Sequence, residues 1–114
     1  MIVALNRTSS RQIDTFTGVL MIVIRNCFIA KPGHASKLAA QLKEAAAASK
    51  VGKYRVLTDL TGEFNRVILE YEAENVGAFE SAMKDYASNT AFREKMKGYT
   101  ELWITGSREI LQVA

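Results

Sequence analysis

Several residue types are scarce in this chain of 114 residues, and each scarcity excludes a class of protein. A single cysteine, Cys27, cannot form an internal disulfide and indicates a reducing compartment. Cys27 and the single histidine, His34, give no recognised metal-ligand spacing, so no metal site is expected. No apolar stretch reaches the roughly 18–20 residues that span a bilayer. The layout of a signal peptide is also missing. These features predict a cytoplasmic protein.

The chain also has no large excess of positive or negative charge. Fifteen lysines and arginines against twelve acidic residues leave a formal net charge of +3, and no run of five like charges occurs. Neither nucleic acid nor a membrane is therefore an expected partner. No glycine-rich phosphate loop, serine-centred elbow or CxxC pair is present, and no cofactor is expected.

Residues 1–20 lack the patterning of the rest of the chain, whereas residues 21–114 read as one domain. Met21 followed by three β-branched residues has the character of a protein start. We consider two interpretations of residues 1–20. They are an upstream stretch that does not belong to the domain, or an arm that pairs with a neighbouring subunit.

The order of apolar patterns from Leu20 onward predicts an α+β domain of the type βαββαβ. Gly106-Ser107, near the middle of the last strand, indicates a bulge or a break. Asn75 is placed to cap the second helix, and residues 88–90 to cap a short final helix. The predicted strands are Leu20–Ala30, Lys53–Leu60, Phe64–Ala73 and Thr100–Val113, and the first helix is Ala35–Ser49.

This element order is that of the ferredoxin-like fold, in which two helices cover one face of a four-stranded antiparallel sheet. On the third strand, the apolar row Val67, Leu69 and Tyr71 should meet the helices. The first strand is apolar on both rows, and Trp103 adds a large ring that must be buried. A second copy packing sheet to sheet satisfies both features, so we predict a homodimer or a higher oligomer. The alternative is a tolerated apolar surface.

The chain resembles the dimeric α+β barrel superfamily, with NIPSNAP-type and antibiotic-biosynthesis-monooxygenase-type members. The matching stretches are Met21-Ile22-Val23-Ile24-Arg25-Asn26 through Lys31-Pro32-Gly33, Gly62-Glu63-Phe64-Asn65-Arg66-Val67, Glu70-Tyr71 and Thr90-Ala91-Phe92. The resemblance covers about Met21 to Val113. It implies a barrel closed by two sheets, with a pocket in each subunit.

The resemblance also implies a role for Asn26, which stands where haem-degrading members have an asparagine that contacts the substrate. Asn26 is therefore a candidate ligand-binding or catalytic residue. Those members also use a tryptophan and a histidine on the second helix. In the corresponding region this chain has Ala82, Met83, Lys95 and Met96.

Two further sets of residues are candidates for the site. His34 is the only histidine of the chain and is a catalytic candidate, because histidine is the side-chain type best suited to acid–base chemistry at neutral pH; an imidazole at this turn can also cap the helix that follows. Arg25, Arg66 and Glu70 lie on predicted strands, where arginine suits a carboxylate or another planar anion. The alternative for these charged residues is ordinary cross-strand pairing.

The sequence thus predicts a small-molecule-binding protein with the dimeric α+β barrel fold. Two alternatives stay open, a cofactor-independent monooxygenase or related enzyme, and a purely structural assembly module. The residues alone do not decide whether the chain is an enzyme.

Overall fold

A computed structural model describes residues 21–49 and 53–114 of the chain. The predicted N-terminal extension, residues 1–20, lies outside the described residues. The strands are β1 (Ile22–Ala30), β2 (Tyr54–Thr58), β3 (Arg66–Ala73) and β4 (Trp103–Gln112), and the helices are α1 (Ala35–Ala48), α2 (Val76–Ser88) and α3 (Thr90–Lys95). None of these helices is long and apolar enough to cross a membrane.

The strands form one antiparallel sheet in the order β2-β3-β1-β4. β1 is central, and its Ile24 lies opposite Tyr71 of β3 and Ile110 of β4. The helices pack on one side of this sheet. The predicted ferredoxin-like α+β fold is therefore confirmed, with α3 as a short third helix.

Alternation along β1 and β3 builds the core under the helices. Ile24 and Val67 are fully buried there, as are Leu38 and Leu42 on the inward face of α1. The predicted apolar row of β3 thus meets the helices. One buried cluster consists of Ala30, Leu38, Ala39, Leu42, Val67 and Leu102, and a second consists of Ile22, Ile24, Tyr71 and Phe79.

The connection between β2 and β3 spans residues 59–65 and is longer than the predicted turn. Asn65 adopts a left-handed backbone with a φ of 65°, a conformation that asparagine tolerates better than most residues. Its carbonyl accepts a hydrogen bond of 2.8 Å from the Ala30 amide. Asp59 and Arg66 close the connection with a side-chain hydrogen bond of 3.0 Å.

The helix starts follow the predicted caps in two of three cases. The Asn75 side chain accepts a hydrogen bond of 2.8 Å from the Ala78 amide at the start of α2. Asn89 does the same for the Phe92 amide at the start of α3, at 3.0 Å. His34 occupies the N-cap position of α1 but makes no side-chain capping bond. The suggested capping role of His34 is therefore wrong.

Gly106 has a different role from the predicted bulge. It pairs in register with Phe28, and the irregularity of β4 lies nearer the start of the strand, where Ile29 pairs with Thr105 but Ala30 pairs with Trp103. A Cβ atom on Gly106 would lie 3.2 Å from Cδ1 of Phe28. The absence of a side chain therefore lets the Phe28 ring lie across β4.

Gly106→Ala should destabilise the fold by about 1–3 kcal/mol, because the added methyl group forces the Phe28 ring away from its contacts with Tyr99 and Trp103. The free energy of unfolding in urea measures this loss. Ser107→Ala, at the next position of β4, is the control and should cost much less. Equal stability of the Gly106→Ala variant and the parent would contradict the close approach of the ring.

Candidate functional site

A cavity of about 460 Å³ lies between the sheet and the helices. This volume falls within the range of small-molecule sites, which is about 300–1,000 Å³. Side chains from all three helices and from the helix-facing side of β1, β3 and β4 line it. Its apolar walls include Phe28, Leu42, Leu69, Phe92, Met96 and Trp103.

Small residues on the facing elements leave this space open. α1 presents Ala45 and Ala46 to the cavity, and β4 presents Gly106 on the opposite side. α3 is attached to α1 through Gln41, whose Nε2 donates to the carbonyl oxygens of Lys95 and Lys97, both at 2.9 Å. These two hydrogen bonds hold α3 against α1 and thereby fix one wall of the cavity.

One polar cluster, which we call the polar corner, consists of Asn26, Tyr71 and Arg108 and lines the cavity. Asn26 and Arg108 are direct partners in the β1–β4 pairing, and the Arg108 Nε donates to Asn26 Oδ1 at 2.7 Å. Because a guanidinium only donates, this bond fixes which end of the Asn26 amide carries the oxygen. The Arg108 guanidinium also lies 5.2 Å from the ring centroid of Phe79.

Tyr71 lies beside the other two members of the polar corner. It pairs with Ile24 in the sheet, which is on the same row of β1 as Asn26. Its ring centroid is 6.5 Å from that of Phe79, the ring that the Arg108 guanidinium approaches. Burial raises the pKa of Tyr71, while the nearby charge of Arg108 lowers it.

The cavity has an excess of hydrogen-bond donors. Of the described residues that line it, Arg108 is the charged one, and none is Asp, Glu, His or Cys. No described carboxylate lies within 4.0 Å of Arg108. The indole Nε1 of Trp103, another lining residue, is buried without an acceptor among the described residues. The site is suited to a ligand that accepts hydrogen bonds.

The opposite side of the sheet, which we call the open face, holds a separate charged cluster. Glu70 accepts from Arg55 at 2.8 Å and lies 3.6 Å from Arg25, which is 3.8 Å from Glu109. Two arginines and two glutamates make this cluster electrically balanced. Arg66 is not part of it and pairs with Asp59.

The structure therefore divides the predicted ligand-binding residues between two places. Arg25 and Glu70 come together on the open face, whereas Asn26 points to the opposite side and lines the cavity. The alternative interpretation, cross-strand pairing, describes the contacts of Arg25 and Glu70, whereas Arg66 pairs with Asp59 of the β2–β3 connection. Their role in ligand binding stays a prediction.

His34 and Cys27 both lie outside the cavity lining. Cys27 lies opposite Ile68 and Ser107 in the sheet, on the open face. Burial raises the pKa of the Cys27 thiol, and Glu109 adds to the effect, while Arg25 and Arg66 oppose it. A thiol with a raised pKa is a poor nucleophile at neutral pH. Within the described ranges, no group of three His, Cys, Asp or Glu side chains is placed to hold a metal.

Comparison with known proteins gives matches at the level of structure. No family model matches the sequence, and no curated protein matches it. A NIPSNAP family protein from Agrobacterium tumefaciens superposes with a TM-score of 0.73 at 14% identity, over 82% of this chain and 86% of that one. A NIPSNAP-like domain protein from Burkholderia xenovorans gives 0.72 at 16% identity, over 82% and 85%. The chain has the NIPSNAP-type fold.

A candidate antibiotic biosynthesis monooxygenase from Chloroflexus aurantiacus is also similar, with a TM-score of 0.66 at 14% identity, over 82% of this chain and 93% of that one. The resemblance to both groups of the superfamily is thus confirmed for the fold. At such identities the likeness carries no chemistry, so the function has to be argued from the cavity itself.

Sequence reasoning missed Arg108 as a site residue. The signal was available, since Arg108 alternates with Gly106 and Ile110 on one row of the last strand. A bulge expected at Gly106-Ser107 left the register of that row undetermined. The irregularity lies nearer the start of β4, so the row continues unbroken from Gly106 to Arg108.

Glu70→Gln should lower the free energy of unfolding by about 1–2 kcal/mol, between the values for exposed and buried ion pairs, because it leaves two arginines without their shared carboxylate. The Glu70 side chain is 19% exposed. Glu72→Gln is the matched control, since Glu72 is exposed, lies on the same row of β3 and makes no ion pair with a described residue. Urea unfolding of both variants gives the comparison. Equal losses would show that the Glu70 pairs contribute nothing specific.

Proposed function

We propose that this protein binds a small, largely apolar molecule in the cavity between its sheet and its helices. The observation that carries the proposal is the cavity itself, with apolar and aromatic walls and one convergent polar corner. Sites of this composition bind small molecules by burying their apolar surface, while a few polar groups fix their orientation.

The cavity supports binding more strongly than catalysis. The alternative, a cofactor-independent monooxygenase, needs a group that removes a proton from its substrate. The described lining residues include no carboxylate, histidine or thiol. Burial raises the pKa of Tyr71, so its hydroxyl is protonated at neutral pH and is a weak base. We therefore place binding first and retain oxygenation as the second candidate.

We also propose that the protein works as a homodimer joined through the open face, in a cytoplasmic setting. On this face Val23 and Ile29 are half-buried and Leu111 is 46% exposed. Apolar surface of this kind is typical of an interface. Trp103 packs on the helix side against Phe28, so it does not contribute to this face.

The binding proposal predicts that neutral 1-octanol changes the fluorescence emission of Trp103 in a saturable way. Trp103 is the single tryptophan of the chain, and it lines the cavity. Ala46→Leu should weaken binding at least about tenfold, which corresponds to 1.4 kcal/mol, because the larger side chain occupies the cavity. Ala47→Leu is the control, since Ala47 is exposed on the same helix. Equal affinity of both variants and the parent would place the octanol elsewhere.

The dimer proposal predicts about twice the chain mass of 12.6 kDa in light scattering. Val23→Lys should shift the protein toward the monomer. In the monomer the lysine lies beside Glu72 and stays hydrated, whereas in the dimer it must be desolvated within the interface. Ala40→Lys adds the same charge on the exposed side of α1 and should leave the mass unchanged. A monomeric parent at micromolar concentration would refute the proposal.

A further inference from the structure

We infer that the ligand is an apolar monocarboxylate, whose carboxylate group is bound by Arg108 and Tyr71 at the polar corner while its apolar part lies against the aromatic walls. The inference rests on the proposed binding function and names the chemical class that the cavity selects.

The first step is the charge of the cavity. Arg108 brings one positive charge to the lining, and no carboxylate of the described ranges lies within 4.0 Å to neutralise it. On the open face, by contrast, Arg25 and Arg55 share the carboxylate of Glu70. Arg108 is therefore available to bind an anion from solution, which would serve as its counter-ion.

The second step is the geometry of the guanidinium. Its Nε is engaged with Asn26 Oδ1 at 2.7 Å, and the ring of Phe79 lies 5.2 Å away along one face. These two contacts hold the group in place and leave its terminal Nη atoms available. Two parallel N–H bonds from such an edge match the two oxygens of a carboxylate, which is planar like the guanidinium.

The third step is the Tyr71 hydroxyl. Tyr71 lines the same cavity as Arg108, and both lie beside the ring of Phe79, whose centroid is 5.2 Å from the guanidinium and 6.5 Å from the centroid of the Tyr71 ring. Burial raises the pKa of Tyr71, so its hydroxyl keeps its proton at neutral pH and is a hydrogen-bond donor. Arg108 and Tyr71 thus offer donors to a ligand at the same corner.

The cavity also discriminates against other ligand classes. An ammonium group would meet Arg108 as a like charge and would find no carboxylate in the described lining. A dianion such as a phosphate monoester would bring two negative charges to one arginine, leaving a charge uncompensated beside apolar walls. A monoanion balances the single charge. The exposed position of Arg108 allows the carboxylate to keep part of its hydration at the rim.

The test compares octanoate with 1-octanol, which share the apolar chain and differ in the head group. Binding is followed by Trp103 emission and by calorimetry at low ionic strength. The parent should bind octanoate at least about tenfold more tightly than octanol, the gain expected of a charge-assisted bidentate pair. Arg108→Gln should remove this preference while leaving octanol affinity within about threefold, since it deletes the charge and keeps an amide donor.

Two further variants complete the design. Arg93→Gln deletes an exposed arginine of α3 outside the cavity and should keep the octanoate preference. Tyr71→Phe keeps the buried ring and removes only the hydroxyl, so it should weaken octanoate binding without a comparable effect on octanol. This variant tests the inference independently should Arg108→Gln fail to fold, which circular dichroism reports.

The outcomes separate the inference from the proposed function. Equal binding of octanoate and octanol by the parent, or equal losses for both in Arg108→Gln, would overturn the carboxylate assignment while supporting an apolar binding site. Absence of binding for both compounds would overturn the inference together with the proposed function.

Discussion

The register of β1 against its two neighbours is the constraint on which both sides of the sheet depend. In this register Asn26 faces Arg108 beneath the helices, while Arg25 faces Glu70 on the opposite side. A slip by one residue would place Arg25 under the helices and expose Ile24, which is now fully buried. The same pairing thus fixes the core, the polar corner of the cavity and the charged cluster of the open face.

Arginines on the two sides of the sheet differ in their partners, and this difference defines the site. Arg25 and Arg55 are balanced by glutamates across neighbouring strands. Arg108 is held by an amide and an aromatic ring, which position it without neutralising it. A positioned but uncompensated charge beside an apolar cavity is what recognition of a small anion requires. The cavity owes its volume to Ala45, Ala46 and Gly106, which contribute little or no side chain.

The sequence predicted features that depend on local patterns. The element order, the caps at Asn75 and Asn89 and the inward row of β3 follow from spacing and side-chain chemistry within a few residues. The cavity does not follow from such local patterns, because its volume is the space that remains between the sheet and the helices after they pack. Arg108 was missed since the irregularity was expected at Gly106-Ser107, whereas the register shifts between Ile29 and Ala30, and this shift is a property of the pairing between two strands distant in sequence. The length of the β2–β3 connection likewise depends on long-range contacts such as the bond from Ala30 to Asn65.

The central claim is that ligands enter the cavity under the helices rather than the open face. Two of the four methionines, Met83 and Met96, line the cavity, whereas Met21 lies outside it. Carbon-13 labelling of the methionine methyl groups therefore reports on the cavity and on a position outside it in one NMR spectrum. On addition of octanoate, the Met83 and Met96 signals should shift with saturation while the Met21 signal stays in place. A shift of Met21 with Met83 and Met96 unchanged would contradict the account.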